Sequence, residues 1–347
     1  MQQFWSLCPS SLRVLVAMDR FFILLEFNSG PTMRKKGCMR SLIGRILAAG
    51  CVIGLAIAGL AQQVADPDFD NKVANPAYTK KHPTVFLDEA HHNFHTASGR
   101  YKPFADLIAS DGYQVTPNKQ KFSKETLKGC DVLVISNALG ALAMSSPDAS
   151  NPAFTDEECD SVRDWVRAGG NLLLIADHAP MGAANEKLGL RFGVEMSKGY
   201  TGDPANHDQE TGSDTFIRYD PDNKLLGDHA ITRGRNASEK ISRIIAFTGQ
   251  SLKGPKGSVA FMKLADTAVD VTPARQGSEQ KQASAAGHAQ GIAFKFGKGR
   301  VVVMGEAGML SAQLAGPGKM KFGMNRPGID NRQLALNIMH WLSRLLN

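Results

Sequence analysis

The chain reads as an α/β fold built on a doubly wound, mostly parallel sheet, with a late β-hairpin and an inserted loop region. Three observations predict it. Short apolar runs alternate with helical patterns along most of the chain, which calls for crossover connections and hence parallel strands. A capping box at Thr155 and Glu158 and a pair of glycines, Gly169-Gly170, bracket one helix and deliver the chain into an apolar run at 172–176. That run, read as the central strand, stops at Asp177-His178, the kind of polar strand end at which open α/β sheets hold ligands.

The domain is preceded by other material. Arg34, Lys35, Lys36, Arg40 and Arg45, a mostly apolar run from 46, and the small-residue exit Gly59-Leu60-Ala61 give residues 33–61 the layout of a secretory signal peptide. The alternative is an uncleaved segment that tethers the domain to a membrane. Residues 1–32 carry apolar clusters of their own at 14–16 and 21–25, ahead of a complete leader. They read as a non-native upstream extension, with translation starting at Met33 or Met39. Residues 62–82 are polar, hold two prolines and read as a linker. Residues 83–347 then make one α/β domain, exported to the periplasm or beyond.

The elements follow in order. Thr84-Val85-Phe86-Leu87 is a short buried strand ending at Asp88-Glu89. Pro103 opens a helix on which Phe104, Leu107 and Ile108 share a face, and Gly112 closes it. Residues 113–115 and 132–135 are the next strands, the latter apolar throughout and so buried on both faces. The capped helix turns Val162, Trp165 and Val166 inward, and residues 182–192 form another helix after the central strand. From about 195 to 240 the chain is rich in Gly, Asp and Asn with little periodicity, which marks a functional loop or small insertion. Strand-like runs return at 241–247 and 258–264, and residues 273–290 read as a second loop. Residues 291–296 and 300–304 flank Gly297-Lys298-Gly299 as a hairpin. Asp330 caps a final amphipathic helix bearing Leu334, Ile338, Leu342 and Leu345.

The basic balance belongs to the leader. Residues 1–61 hold seven Lys/Arg against two Asp/Glu, and the rest of the chain holds 33 against 31. A domain so nearly neutral has no electrostatic footprint for nucleic acid, and no membrane contact is expected beyond the signal segment. Cys130 and Cys159 are the cysteines after the leader; they fall at opposite ends of one strand–helix unit, too far apart for a disulfide. No G-x-S-x-G elbow, G-x-G-x-x-G turn or Walker A is present, which lowers the case for a serine hydrolase, a Rossmann dehydrogenase and a P-loop enzyme.

Parallel strands would bring Asp88-Glu89, Asn137, Asp177-His178 and Glu306 to one edge of the sheet. Acids and a histidine around one crevice suit proton transfer, metal binding or hydrogen bonds to a polyol. Asp177, His178 and Glu306 are the catalytic candidates, with Gly305 letting the chain turn and a ligand approach closely. Asp88, Glu89, His91, Asn137, Gln250 and Asn325 are the substrate-binding candidates. No cofactor motif is present. If a divalent metal is bound, His91, His95 and His178 are its ligands, since His91 and His95 would share a face were that segment helical. The competing reading is that these are loop histidines hydrogen-bonded to nearby acids.

From residue 84 to the end the pattern resembles the class I glutamine-amidotransferase-like superfamily of flavodoxin-type folds, nearest its ThuA-like (trehalose-utilisation) branch. The residues that carry the resemblance are Asp88-Glu89-Ala90-His91, the entry Ala168-Gly169-Gly170-Asn171, the segment Asp228-His229-Ala230-Ile231-Thr232-Arg233-Gly234, and Gly299-Arg300-Val301-Val302-Val303 with Gly305-Glu306. The third is similar to an HPITRG-like segment, with Ala230 where proline is usual. The superfamily's amidotransferases place a nucleophilic cysteine at an elbow after a central strand. Here Asp177 and His178 leave that strand, so cysteine-dependent glutaminase activity is not expected.

The leading expectation is an exported domain that binds a small polar molecule, a carbohydrate or envelope fragment, and hydrolyses it by acid–base chemistry. The alternatives are a non-catalytic ligand-binding module, and a scaffold whose 195–240 loop docks a protein.

Overall fold

A computed structural model describes residues 63–273 and 279–347, together with the backbone of two strands near the start of the chain. The chain divides into two units, Met1–Gly59 and Leu60–Asn347. In the first, Ser11–Met18 pairs antiparallel with Phe21–Asn28, so the two apolar clusters noted in the sequence fall on facing strands. The leader expected at 33–61 lies outside the described residues.

In the second unit the order is β1 (Thr84–Asp88), α1 (Lys102–Ser110), β2 (Gln114–Asn118), β3 (Val132–Ser136), α2 (Asp156–Ala168), β4 (Asn171–Ile175) and α3 (Met181–Arg191). Then come β5 (Glu195–Met196), β6 (Leu252–Lys253), β7 (Val259–Lys263), β8 (Ala289–Phe296), β9 (Gly299–Met304) and α4 (Asn331–Leu342). They build a nine-stranded sheet in the order β2-β1-β3-β4-β9-β8-β6-β5, with β7 also paired to β8. The first five strands of that order are parallel, and the remainder join antiparallel.

Alternation along the parallel strands makes two cores. Val132, Val134, Leu173, Ile175, Val302 and Met304 pack with α1 and α4, whereas Leu133, Ile135, Leu172, Leu174, Val301 and Val303 pack with α2 and α3. A strand buried on both faces must be apolar at every position, and β3 and β4 are nearly so. The doubly wound reading is thus observed. The capping box holds: Thr155 Oγ1 accepts from the Glu158 N–H and Glu158 from that of Thr155. The hairpin turns through Gly297-Lys298, with Gly297 at φ 58°.

Register fixes the site. Ser136 lies opposite Ile175, and Ile175 opposite Met304, so Asn137, Asp177 and Glu306 leave the sheet at one level. The spatial order of the parallel strands reverses direction in the sequence between β1 and β3, where such sheets open a crevice at their carboxyl ends.

Several local expectations are corrected. Trp165 is only partly buried and lies over Gly170, while Cys159 takes the inward position beside Val162 and Val166. The last helix stops at Leu342 and Leu345 is exposed. Asp330 precedes that helix, but its carboxylate accepts from Ser242 and Arg243 instead of capping it. Residues 195–240 are woven into the domain: β5 edges the main sheet, Tyr200–Gly202 joins Val269–Thr272 and Lys281–Ser284, and Tyr219 and Ile231 are wholly buried. The stretch expected as a linker is held down as well, for Val64–Ala65 pairs with Ala312–Ala315 and Asp66 is buried. For 195–240 the reason is local. Asp203 and Asp220 spend their carboxylates on loop N–H groups, a use of polar residues that hydropathy reads as solvation.

Candidate functional site

A cavity of about 270 Å³ opens at the carboxyl edge of the parallel strands, lined among others by His95, Arg100, Asn137, Asp177, His178 and Gln313. Asn137 follows β3 with φ 52°, a left-handed conformation that asparagine adopts more readily than most residues. Its side-chain oxygen accepts the Asp177 N–H at 2.9 Å, tying the ends of β3 and β4 together.

Asp177 accepts from the His178 N–H at 2.6 Å and from the Ala307 N–H at 3.3 Å. Burial nonetheless pushes its carboxyl up to about 7, against those hydrogen bonds. Glu306 is fully buried and accepts from the N–H groups of Gly308 and Met309. Burial first, and then the charge of Asp177, push it up to about 8. The two form a like-charged pair that resists double ionisation. Of the pair, Asp177 reaches the cavity and Glu306 does not.

His178 Nδ1 donates to the Ala179 carbonyl at 2.8 Å, and the residue lines the cavity. His95 is stacked on Tyr101 and bonded through Nδ1 to Ser136 Oγ at 3.0 Å. Burial, then the Arg100 charge, push it down to about 3, so it is neutral at physiological pH.

The other sequence candidates lie elsewhere. His91 sits between Phe122 and Phe154, with Nδ1 at 2.9 Å from Asp88 and Nε2 at 2.8 Å from Glu158. Burial lowers the His91 pKa, but the two carboxylates outweigh it and hold the ring above its ordinary value. An imidazolium with both N–H groups engaged has no lone pair for a metal. Asp88 and His91 therefore correct from ligand-binding candidates to a buried ion triad with Glu158. The 91–95 segment is not helical, and no cluster of three or more potential metal ligands occurs among the described residues. Glu89 accepts from the Ala97 N–H. Gln250 donates to the carbonyls of Ala176 and Asp177, and Asn325 bridges Asp66 and Gln313. None of these three lines the cavity. What approaches Gly305 closely is the Gln250 carbonyl, which a Cβ there would meet at 2.2 Å.

Sequence reasoning missed Arg100, Gln313, Phe94 and Phe322. Arg100 had a signal: it closes the loop after β1, one of the two loops that flank the switch point. Gln313 and Phe322 come from the hairpin after β9 and had none. Asp228-His229-Ala230-Ile231-Thr232-Arg233-Gly234 folds as a capped turn, with His229 Nδ1 accepting from Ile231 N–H and its ring against Trp341. Burial, then nearby arginines, push His229 down to about 4. Cys130 and Cys159 are both buried away from the cavity, their thiols pushed up to about 12 and about 11 by burial.

No family model matches the chain, and no curated protein does. Solved structures do. The N-terminal domain of mmIFT52 is similar at a TM-score of 0.51 and 14% identity, over 75% of this chain and 97% of that one. At that identity the likeness shows a shared fold alone. Also similar are a putative ThuA-like protein from Bacteroides uniformis ATCC 8492 (TM-score 0.41, 13% identity, 78% of this chain and 95% of that one) and a putative GMP synthase component from Thermoplasma acidophilum (0.39, 11%, 77% and 97%).

Proposed function

We propose that the strand-end cavity binds a small polar molecule of the carbohydrate or polyol class, in keeping with the sequence resemblance to the ThuA-like branch. One observation carries the reading. The Arg100 Nε and the Gln313 Oε1 are both buried without a hydrogen-bond partner, and both residues line this cavity. A buried donor or acceptor left unmade costs about 1–3 kcal/mol, which a side-chain shift that turns these atoms toward a hydroxyl-bearing ligand would recover. Phe94 and Phe322 supply apolar walls, the usual complement to a few convergent polar groups. The basic and apolar composition of 33–61 supports export of the domain that carries the site.

Asp177 is the acid–base residue of this proposal, its raised pKa suiting proton transfer near neutral pH. Glu306 is its buried partner, and His178 faces the ligand. The alternative of binding without turnover draws on the two N–H groups that already occupy the Asp177 oxygens. Calorimetric titration of the full chain with neutral monosaccharides and polyols, alongside product release from aryl glycosides, tests both. Gln313→Leu is expected to weaken binding about tenfold. Asp177→Asn is expected to lower turnover at least about a hundredfold while binding persists. Binding without any product release selects the non-catalytic module, and no binding by any of these compounds overturns the proposal.

A further inference from the structure

Arg100 stands apart from the other cavity residues because its charge is uncompensated. Among the described residues no carboxylate forms an ion pair with it, and burial alone acts on its pKa, lowering it. Its guanidinium carbon lies 4.1 Å from the centroid of the Phe94 ring, which orients the planar group without neutralising it. The nearby His95 is neutral and brings no second positive charge to the cavity. A half-buried guanidinium with a buried, unbonded Nε–H is costly unless an anion completes it, and its fork favours planar or tetrahedral oxyanions. Gln313, which lines the same cavity, has an orphaned Oε1 that asks for a donor.

We infer that the ligand is a small polyol carrying one anionic group, which pairs with Arg100 while a hydroxyl of the same molecule donates to Gln313. This rests on the reading of the cavity as a polyol site. The volume of about 270 Å³ limits the ligand to something below the roughly 300–1,000 Å³ of drug-sized pockets, in keeping with a single sugar acid or sugar phosphate. Asp177 opposes the anion only in its ionised form; protonated, below about pH 7, its carboxyl can donate to the ligand.

The full chain titrated with glucose, glucuronate and glucose 6-phosphate decides the matter. At least one acid is expected to bind ten times or more tighter than glucose, and the tighter of the two identifies carboxylate or phosphate as the anion. Arg100→Gln is expected to abolish that preference without loss of melting temperature, since it removes an unpaired charge, and Arg100→Lys to restore part of it. Glucose binding as tightly as both acids would overturn the anion inference and leave the polyol site standing. Failure of all three to bind would overturn both. An acid preference that survives Arg100→Gln in a folded protein would overturn the assignment of Arg100.

Discussion

At the residue scale the chain carries two buried carboxylate arrangements of opposite character. Asp177 and Glu306 are held as a mutually repelling pair, with pKa values of about 7 and about 8 in place of the usual value near 4. The folded chain then binds more protons than the unfolded one between those values. The contribution of this pair to stability is full below about pH 4 and falls as pH rises to about 8. Urea unfolding across that range is expected to show this slope, and Glu306→Gln to flatten it; an unchanged slope would contradict the pairing. Asp88 and Glu158 instead both attract His91, a ring whose side chain is 2% exposed. His91→Gln should cost roughly 3–5 kcal/mol, because it leaves two carboxylates buried without their cation. A loss under about 1 kcal/mol in denaturant titration would refute the triad. These two arrangements also show what the residues told in advance. That acids and histidines would gather at strand ends was legible. Which of them face the cavity was not, since that depends on Glu158 reaching His91 from a helix 67 residues away.

Elements were legible where burial is two-sided or a cap is local. The apolar runs of β3 and β4, the Thr155 box and the Gly297-Lys298 turn announce themselves within a few residues. Short strands such as Tyr200–Gly202 and Val64–Ala65 do not, because each is two or three residues long and is specified by its partner's register. Close packing of α2 onto the sheet depends on several glycines, among them the one at the start of β9. A Cβ on Gly299 would lie 2.1 Å from the Gly170 carbonyl oxygen and 2.3 Å from that of Val166, both backbone atoms that cannot swing aside. Gly299→Ala is expected to destabilise by about 1–3 kcal/mol, as overpacking does, whereas Gly318→Ala, with open space around it, should stay within about 0.5 kcal/mol. Equal melting temperatures for the two variants would contradict this account of the helix–sheet contact.

For the whole molecule, the strand order of the parallel core and the register of β3, β4 and β9 account for where the cavity lies. The hairpin after β9 then closes one side of it with Gln313 and Phe322, residues more than 130 positions from Asp177 in the chain. This fold supports many functions, so the chemistry has to be argued from the lining residues and not from the architecture. The central claim is that these residues receive a small polar ligand. Backbone amide chemical shifts of the full chain, followed while neutral and acidic sugars are added, test it most directly. The account predicts saturable shifts centred on Arg100, Asn137, Asp177 and Gln313 that need about tenfold more ligand to saturate in Gln313→Leu. Saturable shifts confined to other parts of the domain, or none with any sugar, would contradict it.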